Sequence, residues 1–366
     1  MKIAIIGTST GQQELYRAAR EMGLYIIGFS WDQGCIPDDN IDKFYPISIV
    51  EKEEIVKICM EEDVDGVVTN GSELTIQIAS YVAERLNKIC TPCKTILDIQ
   101  DKAKVRSLTN EIHELSKVKT YLYSKGHSEF LPCIVKPVTG GGKTGVSFAS
   151  TEEAFQQSIS YCQNNSCEDI LIEQYVEGNE VSVESISYKG HHYIIQITDK
   201  DTSGPPHFVE LGHHQPSSLP KTTLDNIRAI IPQILDAVGF TNGATHIELK
   251  IAHNGSIYLI EVNPRGGGDE ISSNLVRLST GYDYIKGMIE VALGIFKQPQ
   301  CHSDMFSGIY FLTKQTQHLV SHFKNADAMP WYISGKINSY DLKECMGNAY
   351  KNGYLIYQSN KKIILK

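Results

Sequence analysis

Long apolar runs are missing from this chain. Nowhere in its 366 residues does one approach the ~18 that a membrane-spanning helix requires. A lysine- and arginine-rich stripe is missing too, since 34 basic residues face 43 acidic ones for a formal charge of −9. That balance excludes general nucleic-acid binding, although a local site can still oppose the global charge and take a small anion. Like-charge blocks stay short and the apolar share is an ordinary 41%, which excludes disorder. Cysteine is sparse, at nine residues spread along the whole length, so no disulfide framework is expected. Their odd number, and an N-terminal apolar stretch (Ile3–Ile6) too short for a secretion signal, predict reduced thiols and a cytoplasmic protein. The two tryptophans, Trp31 and Trp331, stand too isolated to carry a role.

What is present is length, and pattern along it. Single cores stop growing at roughly 250–300 residues, so two or three domains are expected. Residues 2–6, 24–29 and 65–69 are short apolar runs. Helical patterns reaching Met22, at 53–62 and at 73–86 alternate with them, which predicts an α/β fold with a parallel sheet. Gly7 and Gly11 lack the spacing of a dinucleotide-binding fingerprint, and no acidic residue closes the second strand, so that domain reads as structural. A helix is expected around 101–115. Ser150-Thr151-Glu152-Glu153 fits a capping box opening a helix through Tyr161. Strands follow near 169–175, 181–187 and 192–198, then a helix over 223–238 and a hairpin over 245–263. Residues beyond about Cys301 mix short elements without a readable motif.

The hairpin carries the first chemistry. Asn254-Gly255 is the strongest two-residue hairpin turn signal. With that turn, His253 faces Ser256, Glu248 falls directly opposite Glu261, and Asn263 shares their face. Ile247, Leu249, Ile251, Tyr258, Ile260 and Val262 would then form the core face. Carboxylates paired across a ladder sit roughly 4.5–5.5 Å apart and repel. Their hard oxygens suit Mg²⁺, which takes one or two carboxylates plus substrate phosphates. A solvated face with Lys250 neutralising the pair is the other reading of the hairpin alone.

Upstream, Ile134-Val135-Lys136-Pro137 leads into Gly140-Gly141-Gly142-Lys143-Thr144. A Walker loop would need glycine where Pro137 stands, so that reading fails. What remains is a strand lysine and a glycine-rich turn whose N–H groups can close over phosphates. A third segment, Glu173-Gln174-Tyr175-Val176-Glu177-Gly178-Asn179-Glu180, is a strand, a turn and the start of another strand.

In this order the segments resemble the ATP-grasp superfamily of carboxylate–amine and carboxylate–thiol ligases and related carboxylases. The resemblance implies a Rossmann-like preceding domain (1–95), an ATP-grasp domain (96–300) with a lid over about 116–178, and a small C-terminal region (301–366). It implies ATP and Mg²⁺, with Mn²⁺ as an alternative. Lys102 and Lys136 would be the ATP-phosphate lysines, Gly140, Gly141, Gly142, Lys143 and Thr144 the phosphate loop, and Glu173, Gln174, Tyr175 and Val176 the adenine hinge. Glu180 would accept from ribose, Lys200 would contact the terminal phosphate, and Glu248, Glu261 and Asn263 would hold metal. Arg265 would be catalytic, stabilising an oxyanion.

Biotin carboxylases usually have a larger C-terminal part, and carbamoyl-phosphate synthases carry two such units. Phe208–Pro216 and Asn263–Asp269 look most like the L-amino-acid ligases, which would place Glu210, His213, His214, Gly267 and Gly268 against substrate. The implied function joins a carboxylic acid to an amine, an amino acid above all, through an acyl phosphate. Carboxylation of a small amine by bicarbonate and non-catalytic nucleotide binding are the alternatives. Small-molecule substrates, no nucleic acid, no membrane and a homodimer are the partners it suggests. Cys90-Thr91-Pro92-Cys93 reads as a linker, and His191-His192 as an exposed hairpin tip.

Overall fold

The computed structural model describes residues 1–32, 39–206, 208–343 and 351–366. Three sheets organise them. The first is parallel: β1 (Lys2–Ile6), β2 (Tyr25–Ser30), β3 (Lys43–Pro46) and β4 (Gly66–Val68) lie in the order β3-β2-β1-β4. Ile3 to Ile6 are fully buried, as an apolar run in a sheet covered on both faces should be. Helices α1 (Gln13–Glu21), α2 (Lys52–Glu61) and α3 (Glu73–Arg85) cover it.

The helix expected around 101–115 starts there as α5 (Lys102–Leu108), stops early, and is directly preceded by a further short helix, α4 (Cys93–Gln100). The reason is local. Asp101 leaves the helical region (φ −82°, ψ 104°) and its side chain caps α5 by accepting from the Lys104 N–H. Lys102 thereby becomes the first residue of a helix.

Within the stretch expected as a lid, β5 (Thr120–Leu122), β6 (Cys133–Pro137), β7 (Ser147–Ala149) and β8 (Ile170–Gln174) form an antiparallel sheet ordered β5-β8-β6-β7. Helix α6 (Glu152–Asn165) packs Phe155, Ile159 and Cys162 onto it and is capped by Thr151.

The third sheet has eight antiparallel strands, ordered β13-β12-β9-β10-β11-β14-β16-β15. These are β9 (Asn179–Tyr188), β10 (His191–Thr202), β11 (Glu210–Gln215), β12 (Gly243–Ile251), β13 (Ile257–Asn263), β14 (Phe306–Phe311), β15 (Tyr332–Ile337) and β16 (Gly353–Ser359). The tail without a motif therefore lengthens this sheet by pairing β14 onto β11. Helix α7 (Lys221–Ala237) buries Ile227, Ile230, Ile231 and Ile234 against one face. Helices α8 (Val276–Thr280), α9 (Tyr284–Ala292) and α10 (Val320–Lys324) complete the chain. Tyr284, Ile285 and Ile289 of α9 share a core with Ile3, Ile5 and Leu15, tying the parallel sheet to the large one.

The β12–β13 hairpin departs from the two-residue turn in its register. The Ala252 N–H donates to Ser256 O at 3.0 Å, and the pairs nearest the turn are Ile251 with Ile257 and Leu249 with Leu259. A bulge at Glu248/Leu249 then restores Glu248 opposite Glu261. One extra residue reverses the side-chain alternation on its strand. Ile257 and Leu259 consequently enter the core, while Tyr258 and Ile260, expected there, are only half-buried.

Seven cysteines fall among the described residues and all are unpaired; Cys35 and Cys345 lie outside those residues. No helix among the described residues is long and apolar enough to cross a membrane.

Candidate active site

A cavity lies where the large sheet, the small sheet and the start of α5 meet. Register explains how distant residues converge there. Lys250 on β12 pairs with Glu180 on β9, Glu180 with Lys200 on β10, and Lys200 with His213 on β11. Residues opposite one another across successive strands share a face, so four charged or titratable side chains line up across the sheet floor.

Lys200 is the hub of that row. Its ammonium lies 2.6 Å from Glu248, 3.0 Å from Glu180 and 3.3 Å from Glu210. Burial alone would lower its pKa, but the three carboxylates raise it well above the ordinary lysine range. Burial likewise pushes the Glu248 carboxyl up, and Lys200 with His246 holds it well below the carboxylate range. On the neighbouring strand Glu261 lies 3.1 Å from Lys102 of α5, and the Asn263 amide donates to Glu261 at 3.4 Å. Both carboxylates of the hairpin thus have an ammonium against them, which offsets the repulsion expected of a like-charged cross-strand pair. The two carboxylates and one amide present the hard oxygens that a small divalent cation prefers.

At the other end, Lys136 on β6 reaches Glu173 on β8 at 2.6 Å, and Arg106 on α5 grips the same carboxylate at 2.7 and 3.2 Å. Burial opposes the charge on Glu173, yet Arg106 and Lys136 bring its pKa down to about 2. Arg106 also donates to the carbonyl of Ile260, the extra residue of the bulge, at 2.9 Å. Val118, Ile134, Val146, Ile260, Tyr175 and Phe208 line the cavity with apolar surface. The glycine-rich loop closes one side. Gly140 adopts φ +95°, open to glycine at no steric cost, and its carbonyl accepts from Lys102 at 2.8 Å. Lys143 donates to Phe208 O at 2.6 Å.

A family profile described as the ATP-grasp domain matches residues 129–274. Residues 129–274 are thus similar to an ATP-grasp domain. Over its full length the fold is similar to the crystal structure of L-amino acid ligase from Bacillus licheniformis, with a TM-score of 0.81 and 21% identity, covering 98% of this chain and 93% of that one. Alanine–anticapsin ligase from Bacillus amyloliquefaciens is 23% identical over 68% of this chain and 60% of its own length. D-Alanine–D-alanine ligase from Phocaeicola vulgatus is 26% identical over 37% of this chain and 44% of its own. The chain therefore spans less than two thirds of these curated relatives.

Most of the candidate site residues read from the sequence line this same cavity: Lys102, Lys136, Gly140 to Lys143, Glu173 to Val176, Glu180, Lys200, Glu210, His213, Glu248, Glu261, Asn263, Arg265 and Gly268. Thr144, His214 and Gly267 do not line it. Side chains alternate across β11, so His213 faces the cavity and His214 the opposite side, where it meets Tyr357 and Asp201, each at 3.0 Å. Gly267 is instead structural. Its N–H donates to Glu184 at 3.0 Å, and a Cβ there would come within 2.8 Å of His246.

Two residues that hold the cavity's charged side chains escaped the sequence reading although a signal existed. Arg106 stands one helical turn after Lys102 and so shares its face. His246 precedes Glu248 by two residues on the same strand face. It bridges Glu184 (2.5 Å) and Glu248 (3.1 Å), and despite burial these carboxylates raise its pKa to about 9.

Proposed function

We propose that the protein is an ATP- and Mg²⁺-dependent carboxylate–amine ligase that joins an acid to an amine, an amino acid in our reading, through an acyl phosphate. One observation supports this: the cations Lys102 and Lys136 and the Gly140–Lys143 loop line the same cavity as the hard-oxygen set of Glu248, Glu261 and Asn263. The names of the relatives, ligases of alanine and D-alanine, support the same chemistry.

In this reading Val118, Ile134, Val146 and Ile260 seat the adenine against the Glu173–Val176 backbone, and Glu180 accepts from the ribose. Lys102, Lys136 and the loop N–H groups bind the phosphates. Mg²⁺ held by Glu248, Glu261 and Asn263 would neutralise charge on the transferring phosphoryl group. The carboxylate oxygen attacks the γ-phosphorus, the bond to ADP breaks, the amine nitrogen attacks the acyl carbon, and phosphate leaves. Arg265 stabilises the oxyanion formed in the second attack. Residues 1–95, 96–300 and 301–366 serve as preceding domain, catalytic domain and sheet-extending tail.

A screen for ADP release over paired acids and amines, with mass spectrometry of products, tests the proposal. Amide formation that requires Mg²⁺ and disappears in Glu261→Gln is expected. Entry of labelled bicarbonate into product would replace amide ligation by carboxylation, and nucleotide binding without turnover on any pair would leave a binding protein.

A further inference from the structure

Lys351 enters the cavity's surroundings from the tail, far in sequence from every other residue there. Its ammonium is paired with Asp269 and lies 3.3 Å from Glu210. It also stands 3.9 Å from the ring centroid of Phe311, a cation–π contact. Three partners thus fix one side chain that is only 14% exposed. Beside it His213, 1% exposed, has each of the same carboxylates 3.6 Å from Nε2, beyond hydrogen-bond length. Neither of its ring nitrogens has a hydrogen-bond partner among the described residues. Burial disfavours the charged imidazole, but Asp269 and Glu210 outweigh it and raise the pKa.

Two adjacent carboxylates, left alone, would attract the ammonium group of an amino acid. Here the chain supplies that ammonium itself, and a second cation beside it meets like-charge repulsion. Asp269 lies on the loop that leaves Arg265, so an acid reacting beside Arg265 would extend its other end toward Lys351 and His213.

We propose that Lys351 is a specificity-determining residue, a built-in counter-ion to Glu210 and Asp269 that makes this end of the cavity select acids lacking an α-ammonium group, with His213 binding a hydroxyl or second carboxylate in its place. The inference rests on the ligase reading, and it concerns the acid that is activated, not the attacking amine.

Binding to the full chain loaded with Mg²⁺ and a non-hydrolysable ATP analogue tests it, by calorimetry with matched acids: alanine against lactate, and aspartate against succinate and malate. The wild type should bind the ammonium-free member about tenfold or more tightly. Lys351→Met should reverse that order, and Lys351→Arg should keep it. Tighter binding of alanine or aspartate to the wild type overturns the proposal, as does an order unchanged in Lys351→Met. Failure of every acid to bind while the nucleotide binds also overturns it. Failure of the nucleotide itself to bind would instead refute the ligase reading beneath it. The circular dichroism of each variant shows whether it is folded.

Discussion

A carboxylate buried between two cations, as Glu173 is between Arg106 and Lys136, costs little while both partners remain and much when one is removed. Breaking such a pair typically destabilises by about 3–5 kcal/mol. Arg106→Leu should therefore lower the free energy of unfolding by about 3 kcal/mol in urea titrations, and it should weaken ATP-analogue binding by freeing the Ile260 carbonyl. An unchanged midpoint would show that Lys136 alone satisfies the site. The same residue sets a pH dependence. The Glu173 carboxyl, at a folded-state pKa of about 2, lies below the ordinary glutamate value of about 4.3, so its contribution is present above about 4.3 and lost as pH falls toward 2. The depression corresponds to about 3 kcal/mol. Glu173→Gln should flatten that acid limb of stability against pH, and an identical acid limb would place the titration elsewhere.

At the scale of elements, the position of Lys102 depends on where α5 begins. Asp101 ends α4 and caps α5 through the Lys104 N–H at 2.9 Å, and loss of such a cap costs about 1 kcal/mol. Asp101→Ala should lose that much stability in denaturant melts and also weaken nucleotide binding, because Lys102 then lacks a fixed helix start. Asp101→Asn should restore both; recovery of stability without recovery of binding would detach the cap from the site. This boundary was legible in the sequence, where a helix was expected from Asp101, but α4 before it and the early end at Leu108 were not. The hairpin shows the same limit. Asn254-Gly255 located the reversal and the Glu248/Glu261 pair, but a bulge is set by the ladder's fit to its neighbours, so the swap of Ile257 and Leu259 for Tyr258 and Ile260 left no local trace. Motifs bound to spacing along one strand or loop (Lys136, the glycine loop, Glu261 with Asn263) were readable. Lys351 was not, because only the pairing of β14 onto β11, and of β16 onto β14, brings the tail beside Glu210.

Across the whole molecule, the lysines and carboxylates of the site pair with one another. Lys200 is shared by Glu180, Glu210 and Glu248, Lys102 leans on Glu261, and Glu73 at the start of α3 accepts from the Gly140 N–H at 3.2 Å, joining the parallel-sheet region to the loop. A nucleotide drawing the lysines to its phosphates would take the ammonium partners from Glu248 and Glu261, and a divalent cation on the carboxylates alone would take those carboxylates from the lysines. Each ligand should therefore need the other. The ATP analogue with Mg²⁺, at about a hundred times its Kd, should stabilise the fold by about 2.7 kcal/mol, which is about 3.5 °C in Tm for a chain of this size. Either component alone should give a small fraction of that shift, and Glu261→Gln should reduce the combined shift toward the value for nucleotide alone. If the analogue without metal already produced the full shift, the carboxylate pair would not be the partner of the phosphates, and the lysine–glutamate exchange would not describe how this cavity fills.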